Sequence, residues 1–294
     1  MQTDNSAVRR ATIAVAIAAT LFATTGTAAD LGPDSLSPMA AGAWRALIGG
    51  LGLLAWMWLR HRPLSLAALD WRWVLVGGIA VAGYQLTFFE AVSRTGVAVG
   101  TLVTIGTGPV VAGLIDAVTT RTSPRRRWAT GAVAAVAGVT LLTLDAPEVD
   151  LDGVLLALVA GTTFPFYGLA AQRLMRRVEP DVAIGSVFGA GMLLLIPLAV
   201  RSASEVFASA ESIITVAYLG VFTLSVAYIL WGFGLHRLTL GVVVVVTLLE
   251  PAVASLLGVV VLGEPLTAAL LVGVVLVGAG VTLASRTRPA AGTV

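Results

Sequence analysis

Residues 251–283, PAVASLLGVVVLGEPLTAALLVGVVLVGAGVTL, resemble an earlier part of the same chain. Residues 109–141 read PVVAGLIDAVTTRTSPRRRWATGAVAAVAGVTL, and the two stretches align without a gap at an offset of 142 residues. Pro109 matches Pro251, Gly131 matches Gly273, and both stretches end in AGVTL. The chain therefore contains an internal repeat, and the size of the repeated unit limits the folds that it can adopt.

The same offset also relates the beginning of each half. ATLFATTGTAA, which starts at Ala19, aligns with GTTFPFYGLAA, which starts at Gly161. An alternative interpretation of the N-terminus is a secretory signal, because Arg9-Arg10 and an apolar stretch precede Thr27-Ala28-Ala29. Its removal would leave nine helices. The repeat includes this segment, which favours a membrane helix.

Composition indicates an integral membrane protein. The chain is 57% hydrophobic and only 12% charged, whereas soluble domains have about 25% charged residues. A bilayer-spanning helix needs about 20 mostly apolar residues. Ten apolar runs meet this requirement and predict ten spans, at 11–29, 39–59, 73–92, 97–120, 128–144, 153–172, 182–200, 212–235, 238–262 and 266–285.

The arginines predict the orientation of these spans. All but Arg45, Arg94 and Arg201 fall in the N-terminal segment, in alternate loops or in the C-terminal segment, which would share one side of the membrane. Cytoplasmic loops carry the excess of basic residues, so both termini are expected in the cytoplasm. Asp145, Glu148, Asp150 and Asp152 fill a single loop on the opposite side.

The repeat predicts an inverted architecture. Five spans per unit is an odd number, so the second unit must enter the membrane from the opposite side. Inverted repeats recur in transporters, with the substrate site near the midplane between the halves. We expect an all-α integral membrane protein of ten transmembrane helices in two inverted five-helix repeats, 1–146 and 151–286, followed by a cytoplasmic tail at 287–294.

These features resemble the EamA family of the drug/metabolite transporter superfamily. The resemblance covers nearly the whole chain and rests on the five-plus-five repeat, Glu250-Pro251, the GEPLT motif at 263–267 and the glycine-rich end of the second half. The first half departs from the pattern, since Arg121-Thr122 faces Gly263-Glu264. The resemblance implies an inner-membrane carrier, often an exporter of amino acids, other small metabolites or drugs.

Glu250 is the most unusual residue of the second half. It lies about twelve residues into span 9, roughly 18 Å from the inner end. A carboxylate at this depth should face the bundle interior, a cavity or a partner. It could bind a proton or a substrate ammonium group, or it could accept a hydrogen bond that joins two helices. Pro251 and its repeat partner Pro109 are expected to kink their helices.

Three other ionisable residues lie within spans. Arg45 and Glu90 are both near the outer end of their spans and are predicted to form an ion pair. Asp116 is near an inner end and is expected to reach toward Arg121 or Arg125.

The resemblance implies a substrate cavity lined by spans 1, 3, 4, 6, 8 and 9. The candidate lining residues on these spans are Glu250, Tyr84, Gln85, Thr104, Phe164, Tyr167, Tyr228 and Trp231. Aromatic rings and threonines with one acid suit an amphiphilic solute better than a polyanion. Any one of the aromatic residues could instead serve only in packing between helices.

The sequence contains no pattern that predicts catalysis. It has no cysteine and only two histidines, and it has no phosphate-binding GxxxxGK[ST] motif. We therefore expect no enzyme activity, cofactor, metal site or nucleic-acid partner. The main expectation is a gradient-driven carrier of a small molecule, coupled to protons or to a counter-solute. The alternatives are a metabolite exchanger of the same fold and a membrane scaffold without transport.

Overall fold

Helices account for nearly all of the residues that the computed structural model describes. It describes residues 5–60, 67–120, 126–141, 150–261, 263 and 268–285, and these residues contain no strand. The α-helices are α1 (Asn5–Asp30), α2 (Pro38–Leu59), α3 (Trp71–Thr120), α4 (Arg126–Leu141), α5 (Leu151–Leu174), α6 (Pro180–Arg201), α7 (Ala203–Val206), α8 (Ala210–Gly220), α9 (Ala227–Leu235), α10 (Leu240–Thr247), α11 (Leu249–Val261) and α12 (Ala268–Ser285). A π-helix, Val221–Val226, connects α8 to α9.

Several segments used in the predictions lie outside the described residues. They are the arginine-containing segment 121–125, the acidic residues Asp145 and Glu148, residues 264–267 of the GEPLT motif and the 287–294 tail.

Seven helical stretches are long and apolar enough to cross a membrane. They are Ser6–Ala29, Pro38–Leu59, Trp71–Val92, Leu151–Leu174, Pro180–Arg201, Ala210–Leu235 and Leu240–Val261. Val103–Thr119 and Leu271–Leu283 are apolar helices of shorter length. The described residues are thus organised as an all-helical bundle with membrane-spanning helices, and the count of ten spans stays a prediction.

Helix α3 differs from the two separate spans predicted at 73–92 and 97–120, because its helical backbone is assigned without interruption. The chain nevertheless reverses within it. A Cβ added to Gly100 would lie 3.1 Å from the Cα of Val92, although eight residues of straight helix extend about 12 Å. The first arm of α3, 71–92, and its second arm, 100–120, therefore lie side by side and run in opposite directions.

Helix α5 packs beside both arms of α3. A Cβ added to Gly77, on the first arm, would lie 3.0 Å from the Cβ of Ala170. On the second arm, the Thr104 hydroxyl donates a hydrogen bond of 3.2 Å to the carbonyl oxygen of Ala157. The small residues of α5 permit this close approach of helix backbones.

The helix that contains Glu250 is interrupted at one residue. Helix α10 ends at Thr247 and α11 begins at Leu249. Pro251 has no N–H to donate to the carbonyl of Thr247, four residues earlier, and its ring crowds that carbonyl. Helix α3, by contrast, continues through Pro109.

Contacts between the halves are reciprocal at an offset of 142 residues. A Cβ added to Gly138 of α4 would lie 2.7 Å from the carbonyl oxygen of Gly273 in α12. A Cβ added to Gly280, which is Gly138 plus 142, would lie 2.5 Å from the carbonyl oxygen of Gly131, which is Gly273 minus 142. The backbones of α4 and α12 are thus in direct contact, and each helix contributes an equivalent glycine to that contact.

A second reciprocal contact lies elsewhere in the bundle. A Cβ added to Gly78 would lie 3.2 Å from the backbone nitrogen of Gly191, and one added to Gly220 would lie 3.2 Å from that of Gly49. Gly220 is Gly78 plus 142 and Gly49 is Gly191 minus 142, so these two contacts are also equivalent in the repeat. The bounds of α2, Pro38–Leu59, and of α6, Pro180–Arg201, differ by 142 at each end as well.

Candidate functional site

A cavity of about 330 Å³ lies inside the bundle. Such a volume suits a small organic molecule. The wall comes from helices of both halves: α1, α2, both arms of α3, α5, α8, α9, α10 and α11. It reaches the end of the bundle where α1 ends and α2 begins, because Ala29, Leu36 and Pro38 border it there.

Most of the predicted lining residues border this cavity. They are Glu250, Tyr84, Thr104, Phe164, Tyr167 and Tyr228, together with Pro251. Gln85, Trp231, Pro109 and Glu90 do not border it. Successive helical residues point about 100° apart, so Gln85 faces away when its neighbour Tyr84 faces the cavity. Gln85 is buried, and its Oε1 has no hydrogen-bond partner among the described residues.

Aromatic rings close the end of the cavity that lies away from Ala29 and Pro38. The hydroxyl oxygens of Tyr167 and Tyr228 are 2.6 Å apart and share a hydrogen bond. Phe164 packs against Tyr167 with ring centroids 5.3 Å apart. Phe22 packs against Tyr228 at 5.0 Å. Trp231 packs against Phe164, Tyr167 and Tyr228 without bordering the cavity. Its indole N–H donates to the Thr247 hydroxyl at 3.3 Å.

Glu250 borders the cavity two residues after the interruption at Leu248. In the described part of the chain, no hydrogen bond of the protein ends on its carboxylate. The alternative in which Glu250 ties two helices together requires such a bond. The geometry therefore favours a carboxylate that is available to something inside the cavity.

Arg45 also borders the cavity, and its predicted partner is wrong. Its Nε donates to the Thr223 hydroxyl at 3.1 Å and its Nη2 donates to the Thr223 carbonyl at 3.0 Å. Glu90 instead accepts from Arg94 at 2.7 Å. The spacing of four residues places Glu90 and Arg94 on one helix face, a signal that the sequence already contained.

We expect Arg45→Gln and Glu90→Gln to have additive effects on stability. Glu90 and Arg94 are partly exposed, so losing their pair should cost no more than about 0.5 kcal/mol. Arg45→Gln should cost more, because Arg45 is buried and holds two hydrogen bonds to the π-helix. Unfolding midpoints of the single and double variants in detergent measure this. A coupling above about 1 kcal/mol would contradict the separation of the two residues.

Asp116 makes a contact that was not predicted, whereas its predicted partners Arg121 and Arg125 lie outside the described residues. Its Oδ2 accepts a hydrogen bond of 2.7 Å from the backbone N–H of Gly241, at the start of α10. The first N–H groups of a helix lack partners within the helix and favour a negative charge. Asp116 therefore fastens the start of α10 to the second arm of α3.

The residues that sequence reasoning missed include Thr25 and Phe22, both in the cavity wall. A signal was present, because they are the repeat partners of Tyr167 and Phe164 at an offset of 142. The role of Thr223 had no such signal. It depends on the π-helix, which the sequence pattern does not reveal.

The two ends of the cavity differ although their residues are related by the repeat. Gly26 borders the cavity, and a Cβ added to it would meet nothing within 4 Å. Its partner Gly168 is packed, since a Cβ there would lie 2.6 Å from Leu240 and 3.1 Å from Trp231. The end near Gly26 is thus open and the end near Gly168 is closed.

Comparison with known proteins gives consistent matches. The EamA-like transporter family matches residues 9–144 and 151–286. The chain is 36% identical over 273 residues to "Uncharacterized transporter YwfM" of Bacillus subtilis (strain 168), covering 92% of each chain. It is 28% identical over 195 residues to "Threonine/homoserine exporter RhtA" of Escherichia coli (strain K12), covering 66% of this chain and 64% of that one.

A solved structure has the same fold. It superimposes with a TM-score of 0.79 at 22% identity and covers 93% of this chain and 96% of that chain. The family and these relatives are transporters rather than enzymes, and they imply a small-molecule substrate. Together with the apolar helices, these matches make this chain a multi-pass membrane protein that belongs to the EamA-like transporter family.

Proposed function

We propose that this chain is a gradient-driven carrier that exports a small amphiphilic solute by alternating access across the inner membrane. Its two five-helix halves would be inverted relative to each other, and both termini would be cytoplasmic. The observation that carries the proposal is a cavity, built by both halves, that is open at one end and closed by aromatic rings at the other.

The reciprocal contacts support the inverted arrangement. Gly138 meets α12 as Gly280 meets α4, and the family match repeats at the same offset of 142 residues. Two halves related by a pseudo-two-fold axis can exchange conformations, so that the closed end opens while the open end closes. Gly26 and Gly168 occupy equivalent positions in the two halves and have opposite surroundings. This difference is the one that alternating access requires.

The relatives and the cavity together support an amino acid or a comparable small metabolite as the solute. The name of one relative records export of threonine and homoserine. The cavity of this chain is lined by seven aromatic side chains, and it has one acidic and one basic residue in its wall. This lining suits a small solute with both polar and apolar parts.

The test is a transport assay with purified protein in proteoliposomes under an imposed proton gradient. Radiolabelled amino acids and organic cations are the probes, and protein-free liposomes are the control. Uptake that follows the proton gradient supports a proton-coupled carrier. Uptake only when unlabelled solute is present on the opposite side would identify an exchanger. Absence of movement for every probe would contradict transport.

Topology can be tested with single cysteines, because the chain has none of its own. We expect a cysteine at Asp152 to react with an impermeant thiol reagent added outside intact cells, and one at Arg126 to react only in inside-out vesicles. Asp152 is preferable to Asp150, which caps α5 through a hydrogen bond of 2.8 Å from the Asp152 N–H. The opposite labelling pattern would contradict the proposed orientation.

A further inference from the structure

Arg45 has hydrogen-bond donors to spare inside the cavity. It borders the cavity and is only 7% exposed. An arginine side chain has five N–H donors, and Thr223 accepts two of them. Three donors remain on the two terminal nitrogens, which is the pair of groups that binds a carboxylate in bidentate fashion.

The π-helix fixes the orientation of this guanidinium group. Thr223 accepts from Arg45 through both its hydroxyl and its carbonyl, and the hydroxyl donates in turn to the Leu219 carbonyl at 2.7 Å. Ser225, two residues later, donates to the Gly49 carbonyl of α2 at 3.0 Å. Arg45 and Gly49 of α2 are thus both hydrogen-bonded to the π-helix. These bonds fix the guanidinium group, and its remaining donors are available at the cavity wall.

Glu250 supplies the opposite charge in the same cavity wall. No ion pair joins it to Arg45 among the described residues, and no described hydrogen bond ends on its carboxylate. Buried charges are costly unless they are paired. Two opposite charges that border one cavity without meeting leave space for a ligand that carries both charges.

The size of the cavity limits the ligand that can carry both charges. Its volume is about 330 Å³, and most of its wall is apolar or aromatic. A solute with its ammonium and carboxylate groups on one carbon atom leaves most of this volume to a hydrocarbon part, which a long chain with a charge at each end does not.

Apart from four threonines, the rest of the wall is apolar or aromatic. Its aromatic residues include Phe22, Phe164, Tyr84, Tyr167 and Tyr228. Ring faces attract an ammonium group and pack against hydrocarbon. We propose that the cavity binds an α-amino-acid-like zwitterion with an apolar side chain, holding its carboxylate on Arg45 and its ammonium group on Glu250. The proposal rests on the proposed carrier function, since it assigns a substrate class to the same cavity.

The test uses three probes that share one hydrocarbon part. L-Phenylalanine carries both charges, phenethylamine only the cation and 3-phenylpropionate only the anion. Binding to the full-length protein in detergent is measured by isothermal titration. We expect L-phenylalanine to bind at least about tenfold more tightly than either other probe, which is the effect of a hydrogen bond between charged groups.

Variants separate the two charges. Arg45→Gln should weaken L-phenylalanine and 3-phenylpropionate at least about tenfold and leave phenethylamine unchanged. Glu250→Gln should weaken L-phenylalanine and phenethylamine and leave 3-phenylpropionate unchanged. Thr223→Val should weaken the two carboxylate probes, because it releases a hydrogen bond that orients Arg45. Glu90→Gln, outside the cavity wall, is the matched control and should change nothing.

A purely structural role would shift all three probes together. That result would overturn the assignment, as would equal binding of L-phenylalanine and phenethylamine, or absence of binding by all three. Failure of the carrier function is distinguished by the proteoliposome assay. If phenethylamine is carried as fast as L-phenylalanine, the protein is a carrier and the zwitterion assignment is wrong.

Discussion

Gly168→Val should reverse which end of the bundle is accessible and lower transport at least about tenfold. In the closed end, a Cβ at Gly168 would already lie 2.6 Å from Leu240 and 3.1 Å from Trp231. Valine adds two further methyl groups there. Overpacking a buried contact costs about 1–3 kcal/mol, which changes the ratio of two conformations by about 5- to 150-fold. The protein should then favour the conformation in which this end is open.

Gly26→Val is the matched control variant, because Gly26 is the repeat partner of Gly168 and its surroundings are empty. It should fold as well as the wild type and keep the present conformation, because valine would hinder closure of its own end. Transport should fall in both variants. Their accessibility should change in opposite directions.

Cysteines at Ala29 and Ala171 report the two ends. These residues are also repeat partners; Ala29 borders the cavity and Ala171 is fully buried. Gly168→Val should increase labelling at position 171 and decrease it at position 29, whereas Gly26→Val should preserve labelling at position 29. Gly168→Ala is a milder variant in case valine prevents folding. Labelling that changes in the same direction in both variants would contradict the exchange of conformations between halves.

Glu250→Gln should remove at least about nine-tenths of transport without lowering the unfolding midpoint. The two side chains are nearly isosteric, and no described hydrogen bond of the protein is lost with the carboxylate. If Glu250 holds the ammonium group of the solute, glutamine should weaken solute binding, since hydrogen bonds between charged groups are worth more than neutral ones. Net uptake and equal-pH exchange should therefore fall together, at matched protein levels in proteoliposomes.

Other results for the same variant identify other roles. Loss of pH-driven uptake with normal equal-pH exchange would make Glu250 a proton carrier and would contradict the ammonium site. Normal transport by Glu250→Gln, with reduced expression and thermal stability of Glu250→Ala, would make it a structural residue. The pH dependence of transport, compared between wild type and Glu250→Gln, distinguishes a proton carrier from a residue that binds the ammonium group.

The repeat made much of the helix arrangement predictable. Because Pro109 aligns with Pro251 and Gly131 with Gly273, the sequence indicated which helices are equivalent. The reciprocal contacts of Gly138 and Gly280 follow that register. Hydropathy predicted the reversal of the chain between 73–92 and 97–120, but it did not predict that the backbone stays helical through it.

The sequence predicted how deep each site residue lies in its span, but it predicted less well toward which neighbour the side chain points. Counting residues from the end of a span gives the height of Arg45 in the membrane, but not the side toward which its long side chain turns. The partner of Arg45 depends on the π-helix, where Thr223 presents its carbonyl. Trp231 follows Tyr228 by three residues, so the two side chains point about 60° apart on the helix. Trp231 packs against Tyr228 but does not border the cavity.

The charge pair of the cavity occurs only once in the chain. The repeat places Val187 at the position equivalent to Arg45 and Gly108 at the position equivalent to Glu250. A zwitterion bound between the two residues has no net charge, so its crossing alone transfers no charge through the bilayer. A membrane potential supplies about 2.3 kcal/mol per elementary charge per 100 mV, and none of this energy is available to such a step. The zwitterion alone would therefore produce no electrical current, and voltage would contribute to its accumulation only through a coupled ion.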